Sequence, residues 1–165
     1  MTENRMAEIH LREVTPDNFV ECINLRVDDS QTELVATNAK SLAEAKVNPA
    51  LVPLAIYDRA ALGYHKPKAP MVGFVMYEIT CGIGFILRLM IDRAHQRKGY
   101  GRAATLEVIR RLKLYPEVEM IATSHRRENE AAAHLFQSLG FAPWDIEGAE
   151  EINPGEIFLQ LPEGV

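Results

Sequence analysis

Gln96-Arg97-Lys98-Gly99-Tyr100-Gly101-Arg102 places two glycines among three cations. The stretch follows the apolar run Leu89-Met90-Ile91 and opens a segment of helical periodicity. The first turn of a helix has N–H groups without intrahelical partners and the positive end of the dipole, so it takes up phosphate. Gly99 and Gly101 let the backbone come close to a ligand, and Arg97, Lys98 and Arg102 gather charge at the same point. The chemistry is anchorage of a small polyanion such as a pyrophosphate. The G-x-x-x-x-G-K-[ST] spacing of a Walker loop is absent. A dinucleotide fingerprint is excluded as well, because Ala104 stands at its third glycine position and no repeated βαβ halves follow.

The elements that would position this loop can be read along the chain. Ala7 to Glu13 alternates like a strand, and Thr15-Pro16 starts a helix that continues through Phe19, Cys22, Ile23 and Arg26. A second helix covers Asn38 to Val47 and ends before Asn48-Pro49. Val52 to Tyr57 and Met71 to Ile79 read as strands, joined by a Pro- and Gly-containing connection over 61–70. Cys81 to Gly84 reads as a turn into a strand over Phe85 to Ile91. Gly99 to Leu114 is an amphipathic helix ended by Pro116, and Val118 to Ser124 is the next strand. Glu128 to Leu139 is a helix closed by Gly140, with strand segments near Phe141 to Ile146 and Glu156 to Leu161. Antiparallel strands followed by strand–helix–strand–helix make a mixed α/β single domain over 1–165.

Gln96-Arg97-Lys98-Gly99-Tyr100-Gly101 matches the [QR]-x-x-G-x-[GA] motif of the GCN5-related N-acetyltransferases. A second signature follows as Asn129-x-x-Ala132-x-x-Leu135-Phe136-x-x-x-Gly140-Phe141 and departs from the family's pattern only at Phe136, where the family carries tyrosine. The chain therefore resembles this family, and within it the bacterial polyamine acetyltransferases. The resemblance implies a central mixed sheet of about six to seven strands flanked by about four helices, and acetyl-CoA as the acetyl donor. It implies two splayed parallel strands, with the pantetheine arm lying between them against backbone groups of Leu89, Met90 and Ile91. It also implies that Gln96 to Arg102 hold the pyrophosphate, and that Asn129 and the neighbourhood of Phe136 meet the arm. The reaction implied is direct attack of a neutral primary amine on the thioester.

A protonated amine has no lone pair, so a base or water chain must take its proton. Glu78, at the end of a central strand, is the candidate base, and Tyr77 could shape the acceptor pocket. Phe136 cannot donate the proton that the family's tyrosine gives to the leaving thiolate. Three readings stand: unaided departure, which the acidity of thiols favours; a substitute such as His134; or a protein that binds acyl-CoA without efficient turnover, a sensing module.

Residues 1–50 carry nine acids against five bases and 142–165 six acids and no base, whereas 88–127 carry ten bases against four acids. The acid-rich N-terminal region would steer a cationic acceptor, and Asp28, Asp29 and Glu33 lie where the family builds its acceptor pocket. A polyamine fits that pattern; an aminoglycoside-like compound, an amino acid or a protein N-terminus remains open. The net charge of −5 argues against free nucleic acid as partner. No apolar run is long enough for a membrane span. His10, His65, His95, His125 and His134 show no metal-type pairing, and Cys22 and Cys81 form no disulfide framework. A cytoplasmic homodimer is the expectation.

Overall fold

The computed structural model describes residues 6–59 and 69–164. Within them, seven strands form one sheet in the order β1-β2-β3-β4-β5-β7-β6. The strands are β1 (Ile9–Glu13), β2 (Leu51–Asp58), β3 (Met71–Thr80), β4 (Ile83–Ile91), β5 (Met120–Arg126), β6 (Ala142–Pro143) and β7 (Glu156–Leu161). The helices are α1 (Phe19–Asn24), α2 (Asn38–Val47), α3 (Tyr100–Leu112), α4 (Glu130–Ser138) and α5 (Ala149–Ile152). All pairs are antiparallel except β4 with β5.

Alternation along the central strands sorts side chains between two cores. Leu54, Ile56, Val72, Val75, Tyr77 and Ile86 face α3 and Phe136 of α4, packing on Ala104, Val108 and Leu112. Ala55, Tyr57, Phe74, Met76 and Met90 face the other way, onto Cys22 of α1 and Leu42 and Ala45 of α2. β3 and β4 are joined by a two-residue turn in which Cys81 (φ 51) and Gly82 (φ 78) are both left-handed, the twist that suits a tight hairpin.

Several sequence expectations shift. The first helix starts at Phe19 rather than at Thr15-Pro16. Asn18 Oδ1 takes the Thr15 N–H at 2.7 Å, and the Thr15 hydroxyl takes the Asp17 N–H at 3.3 Å, so these residues form a turn that leads into α1. α2 has the expected bounds, with Thr37 as its side-chain cap. The expected strand over 118–124 runs instead over Met120–Arg126, because Pro116 and the turn after α3 occupy the residues before it. The last segment before β7 pairs only over Ala142–Pro143, and the short α5 fills the connection. Most of the 61–70 connection and His65 lie outside the described residues.

Candidate functional site

β4 and β5 pair from Ile83 with Met120 to Ile86 with Thr123, and no further. At the last pair the Thr123 hydroxyl donates to the Ile86 carbonyl at 2.8 Å. The next residue, Leu87, is an unpaired extra residue: Met76 pairs Arg88 and Tyr77 pairs Ile86. Such a bulge bends its strand and sharpens the local twist. Both lips of the fork are held from outside, β4 by β3 as far as Ile91 and β5 by β7 as far as Arg126. The fork is thus built into the sheet.

Two adjoining cavities occupy the fork. One of ≈ 430 Å³ is lined by Glu33, Lys40, Ile86 to Leu89, Thr123 to Arg126, Asn129 and Phe136, among others. The other, of ≈ 420 Å³, is lined by Leu89 to Ile91, His95 to Arg97, Gly99 to Arg102 and Asn129. Leu34, Val35, Leu89, Asn129, Ala132 and Leu135 belong to both walls, which makes one trough.

The second cavity ends at the start of α3. α2 and α4 carry side-chain caps, Thr37 and Asn129, whereas Gly99 precedes α3 with φ 86 and no side chain caps it. The first backbone bond of α3 is from Ala103 N–H to Gly99 O at 3.1 Å, so the N–H groups of Tyr100, Gly101 and Arg102 lie before it, at an open helix mouth. Arg97 is also left-handed, with φ 61. A methyl at Gly101 would meet Leu135 Cδ2 at 3.6 Å and Ile91 Cγ1 at 3.8 Å. These residues fit a pyrophosphate: an uncapped helix start, backbone curled tightly ahead of it, and cations alongside.

Individual residues take roles that spacing did not reveal. Gln96 ties the loop down, donating to Gln31 Oε1 at 2.8 Å and to the Ile91 carbonyl at 3.0 Å. Tyr100 is buried, and its hydroxyl hydrogen-bonds Asp58; burial and then Asp58 push its pKa up to about 12. Arg102 donates to the Ser138 hydroxyl at 2.9 Å. Asn129 Oδ1 takes the Ala132 N–H at 3.1 Å while the residue lines both cavities. Lys98 is on neither wall. Of the other bases in 88–127, Arg110 and Arg111 turn to Glu107 of the same helix, both at 2.8 Å.

The acceptor and catalytic candidates separate. Glu33 lines the first cavity, but Asp28 and Asp29 line neither. Asp28 caps a 3-10 turn over Asp29–Gln31; the backbone N–H of Ser30, then its hydroxyl, hold the Asp28 carboxyl below its usual range. Tyr77 is buried in the α3-side core, where burial and then Tyr115 raise its pKa. Glu78 pairs with Phe85, in the part of β4 that is still joined to β5, and lies on neither wall. Phe136 is on the wall, buried, with its ring edge-on to Phe141 at 5.4 Å. Arg88, Lys40, and Thr32, Leu34 and Val35 around the expected Glu33 line the first cavity without having been expected there; a lone charge inside an apolar strand was the available signal for Arg88.

Residues 55–141 match the model of the Acetyltransferase (GNAT) family. A spermine/spermidine N(1)-acetyltransferase of Bacillus subtilis is 26% identical over 160 residues, covering 92% of this chain and 97% of its own. In fold, the chain resembles a PaiA N-acetyltransferase of Thermoplasma acidophilum solved with coenzyme A (TM-score 0.66, 15% identity, 93% of this chain and 98% of that one). It also resembles NAA60 of Arabidopsis thaliana solved with a bisubstrate analogue (TM-score 0.66, 18% identity, again 93% and 98%). The fork, the open helix mouth and the matched segment agree: the chain belongs to the GNAT acetyltransferase family and is an N-acetyltransferase.

Proposed function

We propose that this protein moves an acetyl group from acetyl-CoA to the primary amine of a small acceptor, with the fork between β4 and β5 as the reaction site. The observation that carries this reading is the trough itself, which runs from the fork to the open mouth of α3. Acetyl-CoA, when bound, supplies a thioester carbonyl: the amine nitrogen bonds to the acetyl carbon, the C–S bond breaks, and the sulfur leaves with its electron pair.

In this reading the backbone N–H groups from Tyr100 to Arg102 hold the pyrophosphate, with Arg97 and Arg102 beside them. Backbone groups of Leu89, on the unpaired side of β4, orient the arm; Met90 turns its backbone to β3, and the Ile91 carbonyl already accepts from Gln96. Phe136 packs against the arm and gives no proton. Because Glu78 is on neither wall, the amine's proton leaves through water in the open trough. The relatives' names set polyamines among the candidate amine acceptors, and Glu33 on the first cavity wall would meet the charge of the acceptor's amine. A homodimer is proposed from the resemblance and a cytoplasmic location from two cysteines without a disulfide framework; light scattering tests the first.

The test is calorimetric binding of acetyl-CoA to the native protein and to Gly101→Glu, which sets bulk and negative charge at the helix mouth. A loss of affinity of at least about tenfold is expected from charge repulsion at contact distance. Unchanged affinity, with the fold intact, would remove the cofactor assignment.

A further inference from the structure

β4 runs Phe85-Ile86-Leu87-Arg88-Leu89-Met90-Ile91, one cation in an apolar strand. Strands covered on both faces are near-continuously hydrophobic, so Arg88 needs a reason. Its side chain is 23% exposed and lies towards α2, where Nη2 meets Glu44 Oε2 at 3.3 Å. Nη1 donates to the Leu87 carbonyl at 3.1 Å, and Nε is buried with no partner. A guanidinium has five N–H donors, and these contacts leave most of them unused. A buried donor left unmatched is costly, more so on a charged group. Among the described residues the other buried, unpartnered side-chain polar atom is Ser41 Oγ, one turn before Glu44 in α2.

Glu44 also receives Lys40 Nζ, at 3.9 Å. One carboxylate thus serves two cations, and Lys40 and Arg88 are on the cavity wall while Glu44 is not. The opposite wall holds Arg126 and Glu156, cross-strand partners of opposite charge. Lys40 and Arg88 share Glu44, Arg126 faces Glu156 and Glu33 adds an acid, so the wall is balanced in charge but presents Arg88 donors that Glu44 does not fill. A purely cationic acceptor would leave those Arg88 donors unmatched. An amine that also carries a carboxylate would find a partner for each charge, and guanidinium matches carboxylate in planar, two-point fashion.

Resting on the acetyltransferase reading above, we infer that the acceptor is a zwitterion, an amino acid or close analogue, whose carboxylate is held by Arg88 with Lys40 while its amine faces the fork.

Matched acceptors test this directly: ornithine against putrescine, and lysine against cadaverine, each pair differing by a carboxylate. CoA release with the native protein should give the amino acid a kcat/KM at least tenfold above its decarboxylated partner. In Arg88→Met that ratio should fall towards one, and Arg88→Lys should keep part of it. Should Arg88→Met fail to fold, Lys40→Met, on an exposed helix position, should still lower the ratio. Equal rates within each pair, or a preference for the diamine, would overturn the inference and leave the transferase reading intact. No amine-dependent release with any acceptor would overturn both.

Discussion

The two glycines of the cofactor loop should respond to alanine with opposite signs. Gly99 holds φ 86, and among the described residues a Cβ there would meet only Ala7 Cβ, at 3.5 Å, an ordinary contact. The cost of Gly99→Ala is then backbone strain alone, roughly 1–2 kcal/mol for an L-residue held left-handed. For a chain of this length each kcal/mol moves Tm by about 2–4 °C, so a fall of about 2–8 °C is expected. Gly101 lies inside the first turn of α3 without a positive φ, and its added methyl would touch Leu135 and Ile91 at 3.6 and 3.8 Å. Alanine is favoured over glycine in a helix by about 0.5–1 kcal/mol, so Gly101→Ala should raise Tm by about 1–4 °C. Differential scanning calorimetry of both variants without ligand reads the signs. Shifts of the same sign would refute the assignment of Gly99 as the left-handed entry and Gly101 as helix.

Three further outcomes follow from the same geometry. Gln96→Ala removes two bonds that tether the loop, each worth about 1 kcal/mol net; calorimetry should show several-fold weaker acetyl-CoA binding, and unchanged affinity would mean the tether is idle. Thiols leave readily because of their acidity, so Phe136→Tyr should keep kcat within about threefold; a rise in the range typical of an added general acid, about a hundredfold, would show that one was lacking. Burial, with a smaller push from Glu21, raises the Cys22 thiol to about 11, whereas Cys81 is exposed. A thiol reagent at pH 8 should therefore label one cysteine per native chain, and fast labelling of two would show α1 opening. The sign for stability follows: the unfolded thiol ionises near the ordinary value of 9.0 and the folded one at about 11, so this contribution is intact below pH 9 and lost as pH rises between them.

Much of this architecture was legible because local signals and tertiary packing agree. Asn38–Val47 has a capping threonine before it and Asn48-Pro49 after it, and it forms the helix expected. The loop at 96–102 was readable because glycines at a strand–helix junction have few alternative uses. The site's acceptor side was less legible, for a physical reason. Its wall is assembled by a bulge at Leu87 that re-aims Arg88 and by a connection at Thr32–Ala36, and neither has a periodic signature. Position late in a central strand points to Glu78 and Tyr77, but pairing at that end is closed and Tyr77 turns into the core. Asp28 was read as acceptor-facing when it is a local cap for Ser30, a use of Asp that sequence charge alone cannot separate from binding.

The central claim is acetyl transfer to an amine at the β4–β5 fork. Its most direct test is CoA thiol release from acetyl-CoA across a panel of amines, with Cys81 blocked beforehand so that only CoA reports. The account predicts release that requires both the protein and an amine and is lost in Gly101→Glu. Binding of acetyl-CoA with no amine-dependent release from any acceptor would contradict it, and would make this chain a binder of the cofactor rather than a transferase.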